Sequence, residues 1–263
     1  MLYKRGQEVL RCRPFAQALK NRYLSDYCDF CLQFKLECRL LQCGGCKIIH
    51  YCGPKCQKKS WRAYHREECA YLQKLHFVPQ DDVRIMFRII LKLGKGGHRE
   101  FDVLPDGRER YFSDLMSHRD EIIEDTARME EYRSLSSLLW HCFKLSGSSA
   151  MMAANSFPKN PEAGIDIYGR YIINSLSIYN IMQDDIGHGL YLGASILDHS
   201  CHPTAIWNFC KGTDLFVRTI EDVDDMDGLR VNTVLQHILH PPEMILDEMC
   251  QQNASKLAIV LEL

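Results

Sequence analysis

Eight residues of the kinds that bind zinc fall within forty-two positions, as Cys28-x2-Cys31, Cys43-x2-Cys46, Cys52-x3-Cys56 and His65-x3-Cys69. Zn²⁺ takes four Cys or His ligands in a tetrahedron. A spacer of two or three residues lets one knuckle or one helical turn present both members of a pair. Four pairs suffice for two such sites. Some forty residues bury too little apolar surface to fold on their own. Metal binding must therefore supply most of the folding free energy of this segment, on the order of 10 kcal/mol per site.

The same cysteines could be read as disulfides, but the N-terminus MLYKRGQEVLRCRPF has no apolar export signal. A reducing compartment, the cytoplasm or the nucleus, is the expected location, and there Cys-x-x-Cys pairs seldom persist as structural disulfides. Cys12, Cys38, Cys142, Cys201, Cys210 and Cys250 are too scattered to form a framework. His50, His76 and Cys38 lie near the cluster but outside its pair spacing, so they are not expected to be ligands. No stretch reaches the eighteen or so apolar residues of a membrane helix, which predicts a soluble protein.

Between residues 28 and 75, nine Lys and Arg face four acids, a naive basic patch for DNA. Seven ligating thiolates and two Zn²⁺ bring that segment close to +2, a weak basis for nucleic-acid affinity. The pair spacing also lacks the twelve or so residues between a Cys pair and a His pair that a major-groove finger needs. Direct DNA binding is therefore not expected.

The run from Cys52 to Cys69 reads as helical, with Pro54 near a first turn and ligands three or four apart, closing as a small helical hairpin. Its order of pairs, the Tyr51-Cys52 dipeptide, the Cys56-Gln57-Lys58 run and Trp61 before His65 resemble the MYND zinc finger. That resemblance implies interleaved sites: Cys28, Cys31, Cys52 and Cys56 on one zinc, and Cys43, Cys46, His65 and Cys69 on the other. It also implies a surface for protein partners, proline-rich peptides among them, which arrive already extended.

Beyond the cluster, Asp81-Asp82 followed by VRIMFRIILKL predicts a capped amphipathic helix with Val83, Met86, Phe87, Ile90 and Leu91 on its core face. Gly94-Lys95-Gly96-Gly97 ends it, and with no closing Lys-Ser/Thr this is a turn rather than a phosphate loop. Helical patterning returns over 111–145, and 146–164 reads as a loop or disordered insert. Ser177, Tyr179 and Ile181 predict a strand, Gly187-His188-Gly189 a turn, and Ala205-Ile206-Trp207 another short strand. Neither a catalytic Cys/His pair nor a third metal site is well supported at His199-Ser200-Cys201-His202.

Gly187-x-Gly189-x-Tyr191 followed by Ser195-Ile-Leu-Asp198-His199-Ser200-Cys201-x-Pro203 resembles the SET domain of protein-lysine methyltransferases, and with the finger and Asn174-Ser175 it resembles the SET and MYND domain family. The resemblance covers roughly residues 4–220, with KRGQEVLRCRPF at the position of the early SET strand. It implies an α+β fold: a β-rich split SET domain with an inserted two-zinc MYND finger and a helical insertion. The expected divisions are 1–27 as a truncated N-terminal part of the SET domain, 28–69 as the finger and 70–164 as a helical linker or insert. The SET core follows over 165–220 and a divergent tail over 221–263. Two structural zinc ions and S-adenosylmethionine are the implied cofactors, with Asn174, Ser175, Asp198 and His199 holding the latter. The implied activity is methyl transfer to lysines of histones or other proteins; a zinc-dependent adaptor acting through the finger is the alternative. Asp198 and Thr204 stand where the family has asparagines. Tyr191 is the last tyrosine, so no catalytic tyrosine is assigned.

Overall fold

A computed structural model describes residues 3–34, 39–154, 161–210 and 212–232. Cys38, Cys250, residues 155–160 of the expected loop and most of the expected tail lie outside the described residues. The described residues fall into two compact units, one within Glu8–Ile196 and Trp207–Val217, the other within 3–7, Leu197–Ile206 and 218–232.

In chain order the elements are β1 (Glu8–Cys12), β2 (Ala16–Leu19), β3 (Leu41–Gln42), β4 (His50–Tyr51), α1 (Pro54–Ser60), α2 (Arg66–Leu72) and α3 (Asp81–Gly94). Next come β5 (Phe101–Val103), β6 (Glu109–Tyr111), α4 (Arg119–Glu124), α5 (Thr126–Ser146), α6 (Ser148–Ala154) and α7 (Pro161–Asn174). The remainder are β7 (Ser175–Tyr179), β8 (Asp185–Leu190), β9 (Asp198–His199), β10 (Ala205–Cys210), β11 (Asp214–Thr219) and β12 (Arg230–Val231). Mixed helix and strand, with a finger inserted after β2, is the α+β architecture expected. Among the described residues no helix is long and apolar enough to cross a membrane.

The larger unit is built on an antiparallel sheet of order β2–β8–β7, in which Gln17 pairs with Gly189 and Ser177 with His188. The turn expected at Gly187–Gly189 is instead the middle of β8. Neither glycine has a positive φ. What they supply is clearance: a Cβ at Gly187 would collide with the Ala18 carbonyl oxygen, and one at Gly189 would lie 2.6 Å from the Tyr191 ring. The reversal falls earlier, where Asn180 Oδ1 accepts from the backbone N–H groups of Met182 and Asp184, ending β7 before Ile181.

Helix α3 starts with Asp81 and Asp82 at its positive end and stops where Gly96 takes φ 95°. It is amphipathic as expected, but its cationic stripe is buried as well as its apolar face. Ile85 and Ile89 are buried with the five predicted core residues, and so are Arg84 and Arg88. The helix lies against β2, α5 and α6. Gly94 admits the α6 backbone, since a Cβ there would lie 2.6 Å from Ala153 Cα. Residues 148–154, expected as loop, are therefore a packed helix with buried alanines, and α7 begins at Pro161 inside the same expected loop. Small side chains that read as linker allow close helix contact.

In the smaller unit β9 and β12 pair in parallel, Asp198 opposite Arg230 and His199 opposite Val231. Thr204 Oγ1 donates to the Gly228 carbonyl and accepts from the Arg230 N–H. A hydroxyl does both at once, which gives this departure from the family pattern a structural role.

Candidate metal centres and cofactor-binding residues

Two knuckles of one design present the first ligand pairs. Leu32 N–H donates to the Cys28 carbonyl at 2.7 Å, and Lys47 N–H to the Cys43 carbonyl at 3.0 Å. The residue after each second cysteine is left-handed, with φ 53° at Leu32 and 57° at Lys47. Strand pair β3–β4 carries the second knuckle, and Gly45 leaves room there for the Cys69 sulfur, which would lie 2.8 Å from an added Cβ.

Of the other two pairs, Cys56, His65 and Cys69 lie on one helical run rather than the expected hairpin, with Cys52 just ahead of it. Gly53 is extended, Pro54 occupies the first turn, and α1 passes through a wider π-type turn at Trp61–His65 into α2 without reversing. The wide turn changes the phase of the helix. Cys56 thereby faces one group of ligands while His65 and Cys69 face the other.

The ligand atoms of Cys28, Cys31, Cys52 and Cys56 lie within 4.8 Å of one another, as do those of Cys43, Cys46, His65 and Cys69. With Zn–S near 2.3 Å a tetrahedron has edges of about 3.8 Å; Cys31 and Cys52 sulfurs are 3.7 Å apart and Cys43 and Cys69 3.8 Å. Donor type, number and spacing therefore fit zinc in both groups, interleaved as the resemblance implied. His50 is no ligand: its Nδ1 meets the Leu24 carbonyl at 3.0 Å. Among the described residues no further cluster of this kind forms, Cys201 included.

The second site has an outer shell that spacing did not reveal. His65 turns Nε2 to the Cys43 sulfur at 3.3 Å and Nδ1 to Glu68 at 3.0 Å, so a zinc-bound neutral ring donates its Nδ1–H to the carboxylate. Glu68 meets Arg88 at 2.8 Å, Arg88 meets Asp29 at 2.9 Å and Arg84 meets Asp29 at 2.7 Å, and all four are buried. Burial pushes the Glu68 carboxyl up, but the Arg88 and Arg84 guanidiniums and His65 pull it down further, well below the usual carboxylate range. Tyr64 donates to Asp29 and lies under the Arg88 guanidinium, 3.9 Å from ring centre.

The same helix closes the sheet edge. Strand β2 has no strand on its outer side among the described residues. Its outward carbonyls at Leu19, Gln17 and Phe15 accept from Arg84 (3.2 Å), Arg88 (2.7 Å) and Lys92 (2.9 Å). Four helical residues rise about 6.0 Å and two strand residues about 6.6 Å, so cations four apart match carbonyls two apart. The ladder protects the edge and ties strand, helix and zinc site together.

Of the residues assigned to S-adenosylmethionine, Asn174 and Ser175 belong to the larger unit, where α7 passes into β7. The Asn174 amide donates to the Met116 and Arg170 carbonyls, which aims its Oδ1, and Ser175 Oγ donates to the Tyr171 carbonyl. Asp198 and His199 belong to the smaller unit. Asp198 is exposed and meets Arg230 at 2.6 Å, and His199 Nε2 lies 3.6 Å from the Cys201 sulfur. Tyr191 is fully buried, and its hydroxyl donates to the Thr213 carbonyl; it is a structural tyrosine.

Residues 28–69 match the MYND finger family model. The histone-lysine N-methyltransferase SMYD3 of Mus musculus is 31% identical over 229 residues, covering 86% of this chain and 49% of that protein. The histone-lysine N-methyltransferase ASHR1 of Arabidopsis thaliana is 27% identical over 212 residues (79% and 40%), and the N-lysine methyltransferase SMYD2 of Homo sapiens 24% over 240 residues (90% and 51%). A finger of this type set into a SET framework defines one class of protein. The chain belongs to the SET and MYND domain family. It spans about half the length of the curated relatives it matches.

Proposed function

We propose that this protein is an S-adenosylmethionine-dependent protein-lysine N-methyltransferase. The observation that carries the reading is its similarity, over most of the chain, to histone-lysine and N-lysine methyltransferases, together with the Ile172–Trp207 block that resembles the SET motif. The cofactor supplies a methyl group on a sulfonium centre. In the larger unit Asn174 Oδ1, oriented by the two bonds its amide donates, is an acceptor assigned to the cofactor; in the smaller unit Asp198 is assigned to the cofactor's amino-acid end. Arg230 beside Asp198 restores the donors lost where the family's asparagine is replaced. His199 and its neighbouring backbone are assigned to the adenine. Transfer requires a neutral amine on the target lysine, which desolvation favours, and alignment supplies the rest. The substrates are lysine-bearing proteins, histones among them, met in the cytoplasm or nucleus.

A second activity has its own support. The finger keeps all eight zinc ligands and exposes Phe34, Leu41 and Trp61, a surface suited to proline-rich peptides. The two are separated by paired variants. Methyl incorporation into a protein lysine is expected to disappear with His199→Ala, while partner capture survives it and is lost with Cys52→Ala. The opposite pattern rejects both assignments.

A further inference from the structure

The two zinc sites differ in how far they are shielded. Every ligand of the second site is buried, Gln73 Nε2 donates to the Cys69 sulfur at 3.3 Å, and His65 is held by the Glu68 network. In the first site only Cys28 is buried. Cys31, Cys52 and Cys56 line a cavity of about 670 Å³, and the cationic side chains of Lys59 and Arg62 line it with them. Cys52 and Cys56 sulfurs lie 3.3 Å apart.

We propose that the first zinc site is a hydroperoxide-reactive switch, in which Cys52 and Cys56 are oxidised to a disulfide and one zinc is released while the second site stays loaded. One zinc-bound thiolate attacks the peroxide, forming an S–O bond, breaking the O–O bond and expelling hydroxide. The second thiolate displaces the sulfenic oxygen as another hydroxide and closes the S–S bond. Two sulfurs lose two electrons, the peroxide gains them, and the two hydroxides pass to solvent, where the buffer neutralises them. Positive side chains in the cavity favour thiolate attack and hydroxide departure. Cys28 and Cys31 alone cannot hold the ion. Loss of the first site releases the start of α1, whereas α2 keeps its anchor to α3 through Glu68 and the 28–34 knuckle keeps its own through Asp29.

Hydrogen peroxide is added to the zinc-loaded chain. Free zinc is followed with a chromogenic chelator, and cysteine states are mapped by alkylation and mass spectrometry. The expected result is two phases, the first about tenfold faster than the second, releasing one zinc per chain with Cys52 linked to Cys56. Simultaneous loss of both zincs, or earlier oxidation of Cys43, Cys46 or Cys69, overturns the proposal. Ala63→Trp, on the exposed cavity wall, is expected to slow the first phase about fivefold by restricting access; an unchanged first phase equally overturns it. Neither readout depends on methyl transfer.

Discussion

Replacing Arg88 by methionine tests the coupling between sheet edge, central helix and second zinc site. The guanidinium is 2% exposed and meets the Gln17 carbonyl at 2.7 Å, Glu68 at 2.8 Å and Asp29 at 2.9 Å. Methionine fills much of the volume and makes none of these bonds. Arg84 is then the only guanidinium for two buried carboxylates, so one negative charge is left uncompensated, at about 3–5 kcal/mol. The abandoned Gln17 carbonyl adds about 1 kcal/mol. Partial relaxation offsets some of this, and a loss of about 4 kcal/mol is expected. Removing the charge instead separates the terms: Arg88→Met with Asp29→Asn should recover about 2 kcal/mol relative to additivity. Urea unfolding of the zinc-saturated protein, followed by circular dichroism, measures both. A loss below about 1 kcal/mol for the single variant, or strict additivity in the cycle, would mean that Arg88 does not couple the sheet edge to the zinc site.

Other positions give independent expectations. Gly45→Ala places a methyl against the Cys69 sulfur, so chelator competition should find the second zinc held about tenfold or more weakly than in the parent, the first site unchanged. Lys47→Gly relieves a left-handed residue and should raise denaturation stability by up to about 1 kcal/mol. Tyr191→Phe removes one buried hydrogen bond, costing about 1–2 kcal/mol of stability without abolishing methyl incorporation. Burial, helped by Glu68, pushes the Cys142 thiol up to about 12. A folded value above the unfolded one means this contribution is complete below about pH 9 and lost as pH rises toward 12, where stability should decline. Cys142→Ala should flatten that alkaline limb in pH-dependent unfolding.

The zinc sites were legible because ligand chemistry fixes both residue type and spacing, and local knuckles satisfy it whatever surrounds them. Partner choice among the pairs came from resemblance, and the geometry agrees with it. Helix α3 was placed correctly but its arginines were missed, because Arg84, Arg88 and Lys92 at four-residue spacing read as a solvated stripe. Spacing alone does not separate a buried cationic stripe from a solvated one; what buries this one is the pair of carboxylates it meets, Asp29 and Glu68. Asp29 and Glu68 adjoin zinc ligands and carried no spacing signal of their own. The Gly187–Gly189 strand was misread because glycine marks close approach as well as turns, and which one applies depends on the neighbouring strand and the Tyr191 ring.

Titrating S-adenosylmethionine into the protein carrying two zinc ions, in a calorimeter, tests the methyltransferase assignment. Saturable binding at one cofactor per chain, weakened by Asn174→Ala and by His199→Ala with zinc content unchanged, is the predicted result. No binding to the folded, two-zinc protein would contradict the methyltransferase assignment.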